Sequence, residues 1–382
     1  MQSDKKNSTG RTLAVLHPVF ALTGVLQAIG GPLLPSLAST FHLKDSQSGL
    51  LFLLYFAGTS LGAFFCRANY ARSMALGFLA MTACCLAVAV ANLALLPPLF
   101  LLLGISVGVP MSGVSLFAGR NFGSRCAPLL TFLNFSWSAG ALTAPLLAAE
   151  VLRHHSYRAA YFVLAMASVV AALACWFLIQ DAPETPRSTT RAQAFPNLKL
   201  IVVFAIAAFL QVGVENTAAA WLSTYALRMA RDGVVFAAAS SSVYWVGFLS
   251  SRGFSSLVLL RADPIRVFRV AVTVALLAAV LLAGLPSVAG RTAAMFLLGA
   301  ALAPIYPLVI AGFFARARHT SDSRWVLATA GFGGSVLPWL AGWISTHSGS
   351  LRVGILTIPA AMLLMIFVLP AMGAARPTIA AE

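Results

Sequence analysis

Charged residues are scarce in this chain. Asp, Glu, Lys and Arg make up 9% of its 382 residues, whereas hydrophobic residues make up 60%. Soluble domains usually carry about 25% charged residues, so this composition excludes an ordinary water-soluble globule. Long apolar runs, each near the roughly 20 residues that cross a bilayer as a helix, are separated by short polar segments. The composition predicts an all-α, polytopic membrane protein.

Patterns that would bind a metal or support catalysis are missing as well. The five cysteines have no metal-ligand spacing, so the sequence predicts neither a disulfide framework nor a zinc site. The glycine-rich stretch GFGG lies within an apolar run, whereas a phosphate-binding loop follows a strand. We therefore expect a protein that is not an enzyme and that uses no cofactor and no metal.

The excess of basic residues has an explanation other than nucleic-acid binding. The net charge is +15, but the basic residues fall singly between apolar runs and form no basic patch. No cleavable signal peptide is expected, because the apolar run after the leader MQSDKKNSTGR is too long for one. The expected partners are a small-molecule solute, protons and membrane lipid, without nucleic acid, and the chain is expected to be a monomer.

Apolar runs between Pro, Gly and charged breaks predict twelve membrane-spanning helices. Since the number is even, both termini lie on one side of the membrane. Loops on that side carry most of the 25 lysines and arginines, which indicates that it is the cytoplasmic side. Short loops favour a bacterial inner membrane, by analogy. The predicted spans are residues 12–38, 46–66, 71–94, 96–118, 128–150, 157–180, 198–228, 235–257, 266–286, 290–314, 325–345 and 350–374.

The longest internal polar segment divides the spans into two groups of six. The predicted domains are an N-terminal six-helix bundle (residues 1–180), a cytoplasmic linker (181–197) and a C-terminal six-helix bundle (198–382). Equivalent bundles enclose a cavity that opens to either side when one bundle rocks on the other. Short motifs recur in matching order in the two halves. They are Leu26-Gln27 and Leu210-Gln211, Gly-x4-Arg at Gly62 and Gly247, and Gly-x4-Pro at Gly140 and Gly333.

Several of these segments resemble one family. The short loop from Gly62 to Arg72 is similar to the Gly-x-x-x-Asp-Arg gating loop of the major facilitator superfamily. The fifth span, NFSWSAGALTAPLL, and the tenth and eleventh, LLGAALAPIYPLVIAGFF and GFGGSVLPWLAGWIS, resemble the same family. The resemblance covers essentially the whole chain and implies a transporter with two pseudo-symmetric six-helix bundles. Cys66 stands where the family's loop has Asp, so the loop departs from a charge-relay latch.

A narrower resemblance starts in the seventh span. Gly213-Val-Glu215, with Trp221 and Tyr225 after it and Trp245-x-Gly247 in the next span, resembles the fucose-galactose-glucose:proton symporter group and its eukaryotic relatives. This resemblance implies a sugar or a similarly polyhydroxylated solute. Symporters of that group have acidic residues in spans one and four, and this chain has none there.

Of the ten acidic residues, Glu215 alone is predicted to lie deep within a span. A charge at the bilayer centre costs at least about 2.5 kcal/mol, so Glu215 is expected to face a wet cavity or a partner, or to carry a proton. At about 100° per residue, Gln211 shares its face. Gln27, the repeat mate of Gln211, is expected near the same axis. The alternative is that these three side chains form interhelical hydrogen bonds.

Amides, a carboxylate and aromatic rings suit the hydroxyl groups and C–H faces of a hexose. The predicted gating residues are expected at cytoplasmic helix ends, where they contact lipid phosphate or opposing helix ends. Predicted solute-binding residues are Gln27, Asn134, Trp137, Gln211, Glu215, Tyr225, Tyr244, Tyr306 and Trp339; predicted proton-coupling residues are Glu215 and His17; predicted gating residues are Arg67 and Arg252. His17 has an alternative role as an interfacial or packing histidine.

Together these features predict a secondary active transporter that moves a sugar-like solute by alternating access and is coupled to protons. Three alternatives remain open at this point. One is a proton-driven exporter of drugs or other amphipathic compounds, and another is an uncoupled uniporter, which the absent acids in spans one and four would suit. The third is a non-transporting membrane sensor or scaffold with the same fold.

Overall fold

A computed structural model describes residues 2–67, 69–121, 126–179, 198–230, 234–259, 261–314, 316 and 323–374. Within these ranges the regular elements are all helices. In chain order they are α1 (Gln2–Ala28), α2 (Gly30–Phe41), α3 (Asp45–Phe65), α4 (Tyr70–Val90), a 3-10 turn (Leu93–Leu95), α5 (Leu96–Asn121), α6 (Cys126–His154), α7 (Tyr157–Leu178), α8 (Leu198–Ala230), α9 (Val234–Ser240), α10 (Ser242–Val258), α11 (Pro264–Gly284), α12 (Val288–Leu302), α13 (Ile305–Phe314), α14 (Ser323–Ser348), α15 (Leu351–Ile355) and α16 (Thr357–Ala374).

Four of the predicted spans consist of two helices each. The first, α1 with α2, bends by 41° where Gly30, Gly31 and Pro32 follow Ile29. Glycine and proline weaken the helical backbone at this point, which explains the break. The other pairs are α9 with α10, α12 with α13, and α15 with α16. The sequence had predicted each pair as one uninterrupted helix.

The twelve predicted spans correspond to the observed elements, and the predicted fold class is confirmed. Among the described residues, ten ranges are long and apolar enough to cross a membrane, and the bent pair of α1 and α2 makes an eleventh. The twelfth is α9 with α10, which carries three consecutive serines and an arginine, and α10 has only 17 residues. Polar residues within a membrane cost free energy, so this composition indicates a functional role for α9 and α10.

Helices within each half approach closely at glycines, and the same contacts recur in both halves. A Cβ on Gly104 of α5 would overlap the carbonyl oxygen of Tyr55, and a Cβ on Gly299 of α12 would overlap that of Tyr244. Likewise α1 packs on α6 through Gly140, as α8 packs on α14 through Gly333. Small residues let membrane helices pack backbone to backbone. The Gly-x4-Pro motifs therefore mark equivalent contacts in the two halves, whereas Gly247, which packs on Phe296, matches Gly58, which packs on Leu101, and not Gly62.

Gly140→Val is expected to destabilise the first half strongly. The added side chain would collide with the backbone carbonyl of Ala21, which cannot rotate away. Overpacking of this kind costs about 1–3 kcal/mol, so the apparent melting temperature in detergent should fall by several degrees. The matched control is Gly284→Val, because a Cβ at Gly284 meets no atom within 4 Å. Equal melting temperatures for the two variants would refute this packing role.

We use "first half" for residues 2–179 and "second half" for residues 198–374 as labels. The predicted linker, residues 181–197, lies outside the described residues, so the domain boundaries stay a prediction. The side of the molecule that carries the start of α1 is called the terminal face. The side that carries the turn between α2 and α3 is called the distal face.

Candidate functional site

The two halves meet tightly at the distal face. A Cβ on Gly31 of α2 would overlap the carbonyl oxygen of Ala219 on α8. Trp221 lies fully buried beside them, donates through Nε1 to the Pro338 carbonyl at 2.9 Å, and contacts Phe52 of the first half edge to face at 6.0 Å. No side chain larger than hydrogen fits at Gly31 in this arrangement, so the seam there is closed.

Polar contacts reinforce this closure. Arg228 at the end of α8 donates to both carboxylate oxygens of Asp45, at 2.7 and 2.6 Å. The same carboxylate accepts from Ser345 of α14 at 2.5 Å, and the Ser46 amide donates to Thr346 at 2.7 Å. Bidentate Arg–carboxylate pairs are among the stronger and more directional ion pairs. We call Gly31, Asp45, Ala219, Arg228 and Ser345 the distal seam.

The distal seam was not predicted from the sequence. The predicted spans leave Asp45 in the loop before span two and put Arg228 at the last position of span seven. Asp45 is instead the first residue of α3, and its side chain is 11% exposed. One available signal was that an acid and a base stand at ends of spans two and seven on the same predicted side of the membrane.

At the middle of the molecule, polar side chains of the second half converge on Glu215. Glu215 is half-buried and lies at the midpoint of α8. Its carboxylate interacts electrostatically with Arg252 and Tyr244 of α10 and with Tyr306 of α13. The side chain of Gln211, one turn earlier on α8, is also near. We call Glu215, Tyr244, Arg252 and Tyr306 the central cluster.

Arg252 lies in this cluster, which differs from its expected place at a cytoplasmic helix end. Its Nη1 donates to Ser138 of α6 at 2.7 Å. Its guanidinium carbon lies 4.8 Å from the ring centroid of Phe248 and 6.0 Å from that of Trp137. These are cation–π distances. Arg252 thus contacts the first half through Ser138 and Trp137, and its predicted gating role stays a prediction.

Tyr244 and its repeat mate Tyr55 differ in whether their hydroxyl groups are hydrogen-bonded. In the first half, the Tyr55 hydroxyl donates to the Leu26 carbonyl at 2.8 Å. Tyr244 occupies the equivalent position, against Gly299 as Tyr55 is against Gly104, and is fully buried. Its hydroxyl has no hydrogen-bond partner among the described residues. Buried polar groups nearly always have a hydrogen-bond partner. This hydroxyl is therefore a candidate to hydrogen-bond a reversibly bound ligand.

The two predicted glutamines have different surroundings. Gln211 is fully buried, and its Nε2 donates to the Leu302 carbonyl of α12 at 3.0 Å. That bond is the interhelical contact expected as the alternative to solute binding. Gln27 is half-buried and lines a small cavity, together with Phe52, Tyr55 and Ala219. Its Oε1 has no hydrogen-bond partner in the described structure, so Gln27 keeps capacity to bind a ligand.

Three predicted residues lie on α1 and α6, and one of them, Trp137, contacts Arg252 of the central cluster. Trp137 is buried, contacts Trp245 of the second half edge to face at 6.0 Å, and has an unpaired Nε1 within the described residues. His17 bonds through Nδ1 to Ser136 at 2.8 Å and contacts the Phe132 ring, which is the packing arrangement named as its alternative. Asn134 is exposed.

The remaining predicted residues lie away from the central cluster. The Tyr225 hydroxyl donates to the Leu282 carbonyl of α11 at 3.1 Å, near the distal face. The backbone of Trp339 packs against Gly49 of α3, in the contact between the halves. Arg67 is exposed at the terminal face, as predicted, and its backbone amide donates to Ser73 at 3.1 Å. The structure brings none of these three to Glu215.

The architecture is that of a membrane carrier with two equivalent halves, closed at one face around a central acid–base cluster. The chain matches the major facilitator superfamily model over residues 16–323 and belongs to that family. It is thus a major facilitator transporter, as the sequence predicted. It is 23% identical over 379 residues to the glucose/mannose transporter GlcP of Bacillus subtilis (strain 168), covering 92% of each chain.

Solved structures show the same fold at low sequence identity. A bacterial homologue of the human lysosomal transporter Spinster, in an inward-facing and unoccupied conformation, superposes with a TM-score of 0.77 at 13% identity and covers 96% of this chain and 98% of its own. The D-xylose-proton symporter superposes with a TM-score of 0.77 at 14% identity and covers 95% of this chain and 98% of its own.

Proposed function

We propose that this chain carries a small polyhydroxylated solute, a sugar, across the membrane by alternating access and that a proton gradient drives the movement through Glu215. The observation that carries the proposal is a carboxylate at mid-membrane, half-buried, beside unpaired hydroxyl and indole groups. A carboxylate within the membrane costs free energy, so its presence there indicates a functional role. The GlcP relative, named as a glucose/mannose transporter, supports a sugar.

The distal seam supports alternating access. Contacts between the halves at this face close one route to Glu215. We propose that both termini are cytoplasmic, that the membrane is a bacterial inner membrane and that the distal face points outward. The described conformation is then closed to the outside, and transport requires the distal seam to separate in each cycle.

The solute class is tested by counterflow in proteoliposomes. Purified protein is reconstituted into vesicles preloaded with one unlabelled sugar, and entry of the same labelled sugar is followed at equal pH on both sides. Hexoses such as glucose and mannose should exchange, whereas vesicles without protein should not. If a broad panel of neutral sugars shows no exchange above that background, the proposed solute class is wrong.

Aromatic residues around the central cluster favour one second candidate, a proton-driven exporter of amphipathic compounds. Trp137, Trp245 and Phe248 surround Arg252 and Tyr244 with apolar surface. Such a wall also suits aromatic or cationic drugs. Cells that overproduce the protein should then tolerate such compounds better than cells with Glu215→Gln. Unchanged susceptibility together with sugar counterflow leaves the sugar carrier as the function.

Tyr244→Phe is expected to weaken solute binding without weakening the fold. Removing an unpaired hydroxyl costs no internal hydrogen bond, but a solute hydroxyl loses one partner, which is worth about 0.5–1.5 kcal/mol, or roughly a 3- to 10-fold higher KM. Tyr55→Phe is the comparison for stability: it should lower thermal stability, which Tyr244→Phe should not, since the Tyr55 hydroxyl donates to the Leu26 carbonyl. Wild-type KM in Tyr244→Phe would exclude a solute contact there.

A further inference from the structure

A second cavity lies in the second half near the terminal face. Successive spans alternate in direction, so α8 and α11 begin at this face and α13 and α16 end there. Both α8 and α11 pack on α13 and α16, and a cavity of about 490 Å³ lies between these helix ends. Two of its lining residues, Pro264 and Ala311, are exposed, so the cavity opens to the surroundings. The lining residues that the structure describes belong to neither the central cluster nor the distal seam.

The walls of this cavity suit a hydrocarbon chain. Ten of the twelve lining residues carry no polar group on the side chain. Phe204, Phe268, Leu308 and Leu369 are four of them, each within two turns of the end of its helix at the terminal face. Ligand sites are typically cavities of about 300–1,000 Å³ with mostly apolar walls and a few polar groups that orient the ligand. An acyl chain from the surrounding lipid would therefore find apolar contacts on several sides here.

The rim of the cavity carries an excess of positive charge. Arg316 is half-buried at the rim, and its Nη1 donates to the carbonyl of Gly312 at 2.9 Å. Arg261 and Arg266 are exposed on either side of Asp263, which also lines the cavity. The Asp263 carboxylate accepts from a backbone amide of α11 at 3.2 Å and so caps that helix. Three arginines and one acid give the described rim a net positive charge.

The guanidinium of Arg316 lies directly against the apolar wall. A Cβ built on Gly312 would meet Cε1 of Phe204 at 3.1 Å and Nη1 of Arg316 at 3.5 Å, so the ring and the guanidinium lie on the same side of Gly312. Guanidinium groups bind phosphate through two parallel N–H bonds, which fixes both the position and the orientation of the phosphate. A ligand that joins an apolar chain to an anionic phosphate would contact both features at once.

We infer that this cavity binds one anionic phospholipid from the leaflet at the terminal face. Its acyl chain lies between α8, α11, α13 and α16, and its phosphate lies at Arg316. The apolar walls favour a lipid over a soluble anion, and the positive rim favours an anionic lipid over a zwitterionic one. Basic pockets between membrane helices bind anionic headgroups for the same electrostatic reason. The inference goes beyond the proposed function, since it depends neither on the solute nor on proton coupling.

Native mass spectrometry of the full chain tests the lipid class. Purified protein is delipidated in detergent and titrated with dioleoylphosphatidylglycerol or with dioleoylphosphatidylcholine. The first phosphatidylglycerol should bind at least roughly 5-fold more tightly than the first phosphatidylcholine, because a basic side chain adds about that factor for an anionic headgroup. Equal affinities would overturn the inference. A dimer of the chain without a lipid adduct would also overturn it, because a second copy would then occupy the site.

Two variants test the position of the lipid. Arg316→Gln should weaken binding of the first phosphatidylglycerol about 5-fold. Arg72→Gln, which removes an exposed arginine at the terminal face of the first half, should not weaken it. Ala311→Trp places an indole in the cavity and should remove the tight adduct, whereas Ala360→Trp, on the exposed surface of α16, should bind lipid like wild type. Wild-type affinity in either Arg316→Gln or Ala311→Trp would overturn the inference.

Thermal unfolding in detergent gives a second readout and verifies that the variants are folded. Phosphatidylglycerol at about 100 times its Kd should raise the melting temperature of wild type by roughly 3 °C. The same lipid should not shift the melting temperature of Ala311→Trp. Millimolar inorganic phosphate should give no shift with wild type, since it has no chain to place in the cavity. A shift by phosphate as large as that by the lipid would indicate a site for soluble anions and would overturn the inference.

Discussion

Glu215→Gln should abolish sugar accumulation against a gradient and leave counterflow. The amide keeps the shape and the polarity of the side chain but cannot take up a proton, so the proton gradient no longer acts on the carrier. Exchange of sugar at equal pH on both sides needs no proton movement. Accumulation in proteoliposomes should therefore fall to the passive level, a loss of roughly 100-fold under a gradient of about 2 pH units with one proton per sugar.

The matched control for this variant is Glu150→Gln. Glu150 lies at the end of α6 in an exposed ion pair with Arg153, and its neutralisation should change neither activity. Accumulation by Glu215→Gln at the wild-type level would show that protons enter through another group or that transport is not proton-coupled. Loss of counterflow together with accumulation would assign Glu215 to solute binding alone.

Gly31→Val should block the transport cycle by keeping the distal seam open. The valine side chain would occupy the space of the Ala219 carbonyl, so α2 and α8 would have to move apart. Overpacking costs about 1–3 kcal/mol in the closed state only, which shifts the balance towards the separated state by roughly 5- to 150-fold. Sugar uptake should fall by a similar factor, because each cycle must close this seam.

Distance measurements can verify the cause. Spin labels at His155→Cys in the first half and Ala289→Cys in the second half, both exposed at the distal face, report the separation of the halves in a cysteine-free background. Gly31→Val should shift the distances to larger values. Gly253→Val, at a site with no atom within 4 Å of an added Cβ, should behave like wild type. A wild-type distance distribution and wild-type uptake in Gly31→Val would refute the seam as a gate.

Much of the fold could be predicted from the sequence because one requirement dominates it, the hydrogen bonding of backbone groups in lipid. Apolar runs of membrane-spanning length had to become helices, since backbone groups in lipid can be satisfied only within the chain. The breaks inside four spans were missed because hydropathy averages over the bent segments. The break after Ile29 does carry a local signal, two glycines followed by a proline.

The central site was only partly predictable. A deep carboxylate is rare enough that Glu215 stood out from the composition alone. Arg252 was expected at the cytoplasmic end of its span because the positive-inside rule counts arginines near span ends as cytoplasmic, and that rule does not reveal the contact of Arg252 with Ser138 of the other half. Asp45 and Arg228 are 183 positions apart in sequence, and only the packing of α2 against α8 and of α3 against α14 brings them together.

Individual residues of the two halves also differ in their contacts, which the repeated motifs of the sequence do not reveal. Gln27 and Gln211 recur in the sequence, but Gly140 packs on Ala21 and Gly333 packs on Phe209, so the position that matches Gln27 in the structure is Glu215. Tyr55 and Tyr244 do occupy matching positions, but only Tyr55 has a hydrogen-bonded hydroxyl. Whether a polar side chain hydrogen-bonds to a neighbouring helix or stays unpaired depends on shifts in helix position that are smaller than the length of a hydrogen bond. The periodicity of the sequence does not resolve such shifts.

The most direct test of proton-driven sugar carriage is the accumulation ratio of wild-type protein at imposed pH differences. Proteoliposomes with the membrane voltage clamped to zero are given a series of pH gradients, acidic outside, and the steady-state ratio of labelled sugar inside to outside is measured. One proton per sugar predicts a ratio that rises about tenfold for each pH unit. A ratio that stays at one across the whole series, with counterflow intact, would contradict the account.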